Sequence, residues 1–318
     1  MNYGDIIRDA FRITLRNRYL WFSGFFAGGG TGFNYSGNLP SGGGNFNPDN
    51  WQRSGASLSG LTSQVGQGVL GNVALVVGIV VVVLLLALLF IFLAILSQGA
   101  LADSVAAIDR GEGRRFGSTF ASGMGNFWRV LGYIVVFFLV ALGLLLVIGI
   151  PVALLIGGTF VATQSVGIRV LVAVVVGLVA ILLFIVVFVS LSIIGQYALR
   201  EIVVRGERVL GSVGSGYGLF RRNIGRSLLL WLIHLGLSIG IGIAFILVAL
   251  IFALVLALPA IGLFVAGYST GGWIAGGIAL LIFIPLFLVA TGAIGTFSHA
   301  YWTLAYLRLT APPTPEPG

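Results

Sequence analysis

Long runs of apolar residues dominate the chain and predict helices that cross a membrane. Five runs are clear, and they cover residues 72–97, 127–149, 167–195, 227–257 and 272–302. Each is long enough to supply the roughly 20 residues that a helix needs to cross a hydrocarbon core about 30 Å thick. The pattern therefore predicts an all-α integral membrane protein.

A sixth run, from Tyr19 to Gly28, is shorter and ends in glycines. Taken alone it matches the core of a signal peptide. Asp5 and Asp9 lie where such a peptide has a purely basic leader, which argues against cleavage. We therefore expect a short or partly inserted first helix, and six transmembrane helices in all.

Ahead of this run, apolar and charged residues alternate with helical spacing. Tyr3, Ile6, Ala10 and their neighbours fall on one face of a helix, and aspartates and arginines fall on the other. Such a pattern is typical of an amphipathic helix that lies in the membrane interface. We expect weaker versions of this interfacial segment before the runs at 127–149 and 227–257.

A short motif recurs at these places and predicts an internal repeat. An aromatic residue is followed six positions later by an asparagine at Phe11–Asn17, Phe120–Asn126 and Tyr217–Asn223. The asparagines are 109 and 97 residues apart, which leaves room for one membrane hairpin each. We predict three parallel hairpin repeats, at about 4–101, 113–199 and 210–306, around a pseudo-threefold axis along the membrane normal. Each asparagine is expected to cap the following helix by accepting a backbone N–H bond.

The far ends of the hairpins also match. The letters SQGAL at 97–101 resemble GQYAL at 195–199, which makes Gln98 and Gln196 equivalent. In the third repeat the equivalent residue is either Thr296 or His299. Small residues at Gly236 and Gly240, and again at Gly272 and Gly276, predict close helix packing.

Two segments interrupt the apolar pattern. Residues 29–71 are rich in Gly, Asn and Ser and predict a long outer loop, and residues 311–318 are rich in Pro and predict a disordered tail. The rest of residues 1–310 is expected to form a single polytopic membrane domain.

Composition and charge fix the environment and the orientation. The chain is 58% hydrophobic and 8% charged, which excludes a soluble domain. The basic residues are all Arg, which a GC-rich bacterial genome explains. Of the 17, 15 lie in residues 1–18, 103–129, 200–226 and 303–318. Because arginine-rich short loops stay in the cytoplasm, we expect both termini on the cytoplasmic side of a bacterial plasma membrane.

Arginines flank each repeated asparagine, and they have two interpretations. In the first they set the topology and extend toward the interface. In the second they contact anionic lipid headgroups. The residues concerned are Arg16, Arg18, Arg129, Arg221, Arg222 and Arg226.

Two histidines lie within predicted membrane helices. His234 and His299 belong to the same hairpin at a similar depth, where they would form either a proton-sensitive pair or half of a metal site. Alternatively, each hydrogen-bonds to a neighbouring helix. Since these helices offer no carboxylate and the chain has no Cys, a metal site would lack ligands. We therefore expect no metal and no cofactor.

No catalytic motif is present, and we predict a protein that is not an enzyme. The leading hypothesis is a lipid-interacting or scaffold subunit of a membrane, with lipids, a protein partner or further copies of the chain as partners. No nucleic acid partner is expected. The alternative is a small-molecule or lipid transporter that uses the interface between the three repeats. A transporter requires a polar, water-accessible path there, whereas a scaffold requires close packing.

The repeat resembles a known family. The segment GYGLFRRNIGRSLLLWLI at 216–233 and the ending TLAYLRL at 303–309 are similar to the membrane domain of bacterial glycerophosphoryl diester phosphodiesterases. Related stand-alone membrane proteins have the same build. The resemblance implies the membrane fold only, because the family's activity belongs to a separate soluble domain that this chain lacks. No catalytic residue carries over.

Overall fold

The computed structural model describes residues 2–29 and 73–311, and every regular element in these two ranges is helical. Most of the predicted outer loop and tail lies outside the described residues. The helices, in chain order, are α1 (Tyr3–Arg16), α2 (Leu20–Gly24), a π-helical turn (Phe25–Gly29), α3 (Val73–Asp109), α4 (Phe116–Ala162), α5 (Val166–Arg205), α6 (Val209–Arg222), α7 (Ile224–Val265) and α8 (Ser269–Thr310).

The chain divides into two compact units. One consists of residues 1–37 and 94–318, and the other of residues 38–93. In the second unit the described residues belong to the first part of α3. Residues 77–91 of this part are exposed on every face of the helix. A helix that is apolar on all sides is suited to lipid and unsuited to water.

Five helices of the described ranges are long and apolar enough to cross a membrane. They are α3, α4, α5, α7 and α8, which confirms five of the expected spans and the membrane class. The helices extend beyond the apolar runs, and α4 continues through Pro151 for 47 residues. At 1.5 Å per residue this is about 70 Å, roughly twice the hydrocarbon thickness. Most of residues 150–166, which lie between the second and third predicted runs, are therefore helical, and only residues 163–165 connect α4 to α5.

The short run predicted from Tyr19 to Gly28 forms only a short helical segment. It comprises α2 and the π-helical turn, 5 residues each, or about 15 Å. The segment packs on α8, where the Thr296 hydroxyl donates a hydrogen bond to the Leu20 carbonyl at 3.0 Å. A sixth spanning helix is thus not confirmed.

Buried residues concentrate at one end of the long helices. They occupy most of 94–107 in α3, 191–203 in α5 and 291–306 in α8. We call these three stretches the packed end. They coincide with the ends of the three predicted repeats, while the threefold arrangement itself stays a prediction. In the first unit, large apolar residues farther along the helices are mostly exposed, which suits contact with lipid.

The glycines that permit close packing are only in part those that the small-residue pattern predicted. At Gly272 a Cβ atom would lie 2.8 Å from the Phe264 ring of α7, so close contact is confirmed there. A Cβ atom at Gly236 or Gly240 would meet no described neighbour, so this part of the prediction is wrong. A Cβ atom at Gly123 would instead lie 2.7 Å from the Leu96 carbonyl oxygen. At Gly292 it would overlap the backbone of α2. Close helix contact therefore occurs at Gly272 and at the packed end, where it attaches α2 to α8.

We expect Gly292→Ala to destabilise the protein, because the added methyl group overlaps the Trp21 carbonyl and must push α2 away from α8. The expected loss is about 1–3 kcal/mol in the free energy of unfolding, which thermal unfolding in detergent would measure. Gly240→Ala is the matched control, because it adds the same methyl group where no described atom lies within 4 Å. Equal stability of the two variants would contradict this description of the packing.

Candidate functional site

The centre of the packed end is polar, and its most unusual member is Arg200. This residue lies on α5 with 0% of its surface exposed. No carboxylate of the described residues forms an ion pair with it. Its neighbour Glu201, also buried, pairs with Arg205 at 3.3 Å instead. An unpaired charge in a membrane protein is costly, and such residues usually mark function.

Neutral groups surround the Arg200 guanidinium. Nη1 donates to the Gln196 carbonyl oxygen at 2.9 Å and also to the Gln196 side-chain oxygen. The opposite edge makes only long contacts: Nε lies 3.4 Å from the Thr303 hydroxyl, and Nη2 lies 3.5 Å from the His299 carbonyl oxygen. One edge of the guanidinium is therefore well bonded and the other is not.

Aromatic residues enclose this polar centre. The Tyr197 ring lies 6.3 Å from the Trp302 ring and 6.5 Å from the Tyr306 ring, measured between centroids. The Tyr197 hydroxyl donates to the Ser227 hydroxyl at 3.0 Å, and the Tyr301 hydroxyl donates to the Leu230 carbonyl at 2.9 Å. These bonds join α5, α7 and α8. We call Arg200, Gln196, His234, His299, Trp302 and Thr303, together with these tyrosines, the buried polar cluster.

The two predicted histidines both belong to this cluster. The Nε2 atom of His234 lies 2.9 Å from the Ser298 hydroxyl, and its ring lies 5.3 Å from the Tyr301 ring. His299 is buried, it interacts with the backbone of Ala27 in the π-helical turn, and its Nδ1 atom has no hydrogen-bond partner. The hydrogen bond between His234 and Ser298 of the neighbouring helix agrees with the alternative interpretation, in which each histidine hydrogen-bonds to a neighbouring helix.

The other predicted polar residues are also buried at the packed end. Gln98 and Gln196 are 6% and 9% exposed, and Thr296 is fully buried. Gln196 contacts Arg200, whereas Thr296 bonds to α2. The structure thus brings Gln196 and His299 together at Arg200. Within the described residues, no group of three or more His, Asp or Glu side chains is placed to hold a metal ion.

The repeated asparagines share a geometry that differs from the one we expected. Each side-chain amide donates to the carbonyl four residues earlier: Asn17 to Ile13 at 3.0 Å, Asn126 to Ser122 at 3.1 Å and Asn223 to Leu219 at 3.3 Å. Asn223 makes no side-chain capping bond to the helix that follows. The predicted role as a cap of the following helix is therefore wrong. Asn17 and Asn223 bond back to the helix that they end.

The arginines that we predicted to contact lipid headgroups lie on the protein surface. All six arginines at the repeated asparagines are exposed, and none forms an ion pair with a carboxylate of the described ranges. We call them the junction arginines; they are Arg16, Arg18, Arg129, Arg221, Arg222 and Arg226. The aromatic residues of the motif are exposed beside them: Phe11 is 50%, Phe120 is 37% and Tyr217 is 52% exposed.

Several arginines elsewhere on the surface form ion pairs. Arg110 bonds to Glu112 at 2.7 Å, Arg114 to Asp103 at 3.0 Å and Arg308 to Asp109 at 3.0 Å. The hydrogen bond from Arg110 lowers the pKa of the Glu112 carboxyl below its ordinary value. These arginines are paired, whereas the exposed Arg8, Arg115 and Arg208 resemble the junction arginines in forming no ion pair with a described carboxylate.

Comparison with known protein families gives a match over most of the chain. A family model described as a family of unknown function, DUF7544, matches residues 20–312. The chain belongs to the DUF7544 family. The matched range includes α2 through α8 and hence the whole buried polar cluster of this DUF7544 protein. No curated protein and no solved structure matches the chain. The family and the five apolar helices together make it a multi-pass membrane protein.

Arg200 is the residue that reasoning from the sequence missed. Arg200 begins the arginine-rich segment 200–226, whose charge predicts only topology. A helical projection of α5 could have found it, because Gln196 and Arg200 are four residues apart and share one face.

We expect Tyr301→Phe to lower the free energy of unfolding by about 1 kcal/mol, because it removes the buried hydrogen bond to the Leu230 carbonyl. Thermal or denaturant unfolding in detergent would measure the change. Tyr217→Phe is the matched control, since its side chain is 52% exposed and should lose nothing. An unchanged stability of Tyr301→Phe would show that this bond does not hold α7 to α8.

Proposed function

We propose that this protein is a non-enzymatic, lipid-interacting scaffold or accessory subunit of the bacterial plasma membrane, with both termini in the cytoplasm. One observation carries the proposal: the six junction arginines are exposed and lack a carboxylate partner among the described residues. A guanidinium that faces the surface unpaired is suited to phosphate, because its fork of N–H groups matches phosphate oxygens.

The neighbours of the junction arginines support contact with headgroups. Next to Arg129, the Trp128 side chain is 77% exposed. Tyr217 lies four residues before Arg221 and is exposed as well. Trp and Tyr are enriched at the headgroup level of membranes, where their rings have apolar and polar parts. Arginines beside exposed aromatic residues are therefore at the depth that anionic headgroups occupy.

The long helices support a structural role. Away from the packed end, α7 exposes large apolar side chains such as Ile246, Leu250 and Leu254, each more than half exposed. Such surfaces contact lipid, helices of a protein partner or further copies of the chain. The resemblance to the membrane domain of the glycerophosphoryl diester phosphodiesterases supports this proposal. In that family the membrane domain accompanies a separate soluble domain that carries the activity.

A small-molecule or lipid transporter is the second candidate, and the buried polar cluster favours it. A transporter that uses the interface between the repeats needs polar groups away from the surface, and Arg200, Gln196 and His299 are such groups. The scaffold is preferred because the packed end is closely packed around these residues.

The lipid contact predicts a loss of anionic lipid when junction arginines are removed. We expect the triple variant Arg221→Gln, Arg222→Gln and Arg226→Gln to bind phosphatidylglycerol on the order of 100-fold more weakly, at about 1 kcal/mol for each arginine. Native mass spectrometry of the full chain with phosphatidylglycerol and phosphatidylcholine would measure this. Arg110→Gln is the matched control, because its exposed guanidinium already pairs with Glu112. Equal retention of phosphatidylglycerol by the triple variant and this control would contradict the proposal.

The absence of Cys allows a direct test between scaffold and transporter. Gln98 is 6% exposed at the packed end. If the predicted interface between the repeats is closed to water, the variant Gln98→Cys should stay unlabelled by a membrane-impermeant thiol reagent. A cysteine at the exposed position Gly113 is the positive control. Rapid labelling of Gln98→Cys in the folded protein would favour the transporter.

A further inference from the structure

We propose that the packed end lies outside the hydrocarbon core of the bilayer, at the level of the headgroups of one leaflet. In this arrangement the hairpins α4–α5 and α7–α8 cross the core separately, and acyl chains surround each of them. Headgroups surround the packed end and its buried polar cluster. The inference holds whichever side of the membrane the packed end faces, and it does not require the junction arginines to bind anionic lipid.

Helix length is the first argument. At the packed end, the Tyr133 hydroxyl of α4 donates to the Gly195 carbonyl of α5 at 2.8 Å, and His234 of α7 lies 2.9 Å from the Ser298 hydroxyl of α8. Each of these residues is about 43–46 Å from the tip of its hairpin, where the chain turns from one helix into the next, at 1.5 Å per residue. Even when tilted by 40°, the upper end of the usual range, a helix rises about 33 Å over this length, whereas the core is about 30 Å thick. If the tips lie at one boundary of the core, both bonds lie beyond the other boundary.

The hairpin tips carry the marks of such a boundary. Val161 and Val166 at the first tip, and Val265 at the second, are each more than two thirds exposed. Apolar side chains with this exposure are unfavourable in water, so the tips do not extend far beyond the core. Tyr268 and Trp273 of the second tip are also exposed, and such residues are enriched where the core meets the headgroups.

Burial along the hairpins is the second argument. Beyond the packed end, the two helices of each hairpin contact each other: the Phe245 and Phe287 ring centroids are 5.1 Å apart, and the Arg169 guanidinium lies 5.1 Å from the Phe160 ring centroid. Most side chains on the remaining faces of α5 and α7 are apolar and exposed. In α5 this exposed part, residues 166–190, is about 37 Å long, and within the usual range of tilt it crosses the core.

The surface around the packed end is the third argument. Helices α1 and α6 lie against it: the Phe11 ring is 5.6 Å from the Phe297 ring, and a Cβ atom at Gly216 would lie 3.0 Å from the Ala198 nitrogen. Both helices carry exposed arginines beside exposed aromatic residues. An arginine that faces the core is strongly unfavourable, whereas the headgroup layer provides water and phosphate. The surroundings of α1 and α6 are therefore headgroups and water.

This placement shifts the core along the helices relative to the apolar runs. In α4 the core covers about 20 residues that end near Ala162, whereas the apolar run covers 127–149. Arg200 is about 51 Å from the start of α5 at Val166, which is well beyond the core. The charge of this buried residue is therefore not in hydrocarbon, which explains how it is held without a described carboxylate partner.

Single spin labels would measure the depth directly, because the chain has no Cys. The full chain carries Val135→Cys, Ile150→Cys or Val161→Cys, one at a time, in vesicles of dioleoyl phosphatidylcholine. The native side chains at these positions of α4 are about half exposed or more, so no buried contact is lost. Power saturation with oxygen and with a water-soluble nickel complex gives the depth of each label. Since these vesicles contain no anionic lipid, failure of the headgroup proposal for the junction arginines would not alter the result.

We expect the label at Ile150 to be the deepest and the label at Val161 to lie near the boundary of the core. Val135 is about 40 Å from the tip along α4, so at an average tilt of about 20° its label should lie about 8 Å outside the core. Leu232→Cys and Ile251→Cys repeat the measurement on α7, where both native side chains are more than half exposed. Unchanged unfolding temperatures would show that the labelled variants are folded.

The opposite depth profile overturns the proposal. If the packed end lay inside the core, the label at Val135 would be as deep as the label at Ile150, or the label at Leu232 as deep as that at Ile251. Either result is sufficient, and the two hairpins test the placement independently.

Discussion

The structure depends on one constraint: inside a hydrocarbon core, polar groups must find partners within the protein. Backbone groups do so by forming helices, and all described elements are helical. Many polar side chains of the described residues gather at the packed end and are buried there. There the Thr303 hydroxyl bonds back to the His299 carbonyl at 2.8 Å, and the Tyr133 hydroxyl bonds to the Gly195 carbonyl at 2.8 Å. Arg200 is the exception, because no carboxylate of the two described ranges forms an ion pair with it.

Close packing and polar bonding support each other at the packed end. Gly292 lets the backbone of α2 approach α8, and this approach brings Leu20 within reach of the Thr296 hydroxyl. The π-helical turn that follows places Ala27 against His299. Single π-helical turns are frequent at functional sites, and this one flanks the residue whose carbonyl faces Arg200. The short first segment thus forms part of the surroundings of the cluster.

The sequence predicted what depends on average hydropathy and missed what depends on position around a helix. Five spans followed from apolar runs, because lipid accepts any apolar side chain. The ends of the helices did not follow: α4 runs through Pro151, and α5 extends to Arg205 through charged residues. His234 and His299 were placed at a similar depth and do share one cluster. Arg200 was missed, because counting arginines for topology ignores which face of α5 they occupy.

The asparagine of the second repeat has a mechanical consequence. Asn17 and Asn223 lie at breaks between helices, whereas Asn126 lies inside α4, which continues without interruption from Phe116 to Ala162. A break lets the flanking segments take different directions, whereas a continuous helix fixes the direction of both its parts. One continuous helix therefore joins the exposed Phe116 and Phe120 to Tyr133, which is bonded to α5 at Gly195. The first and third asparagines instead separate two helices each, so α1 and α6 have no such continuous connection to the helix that follows.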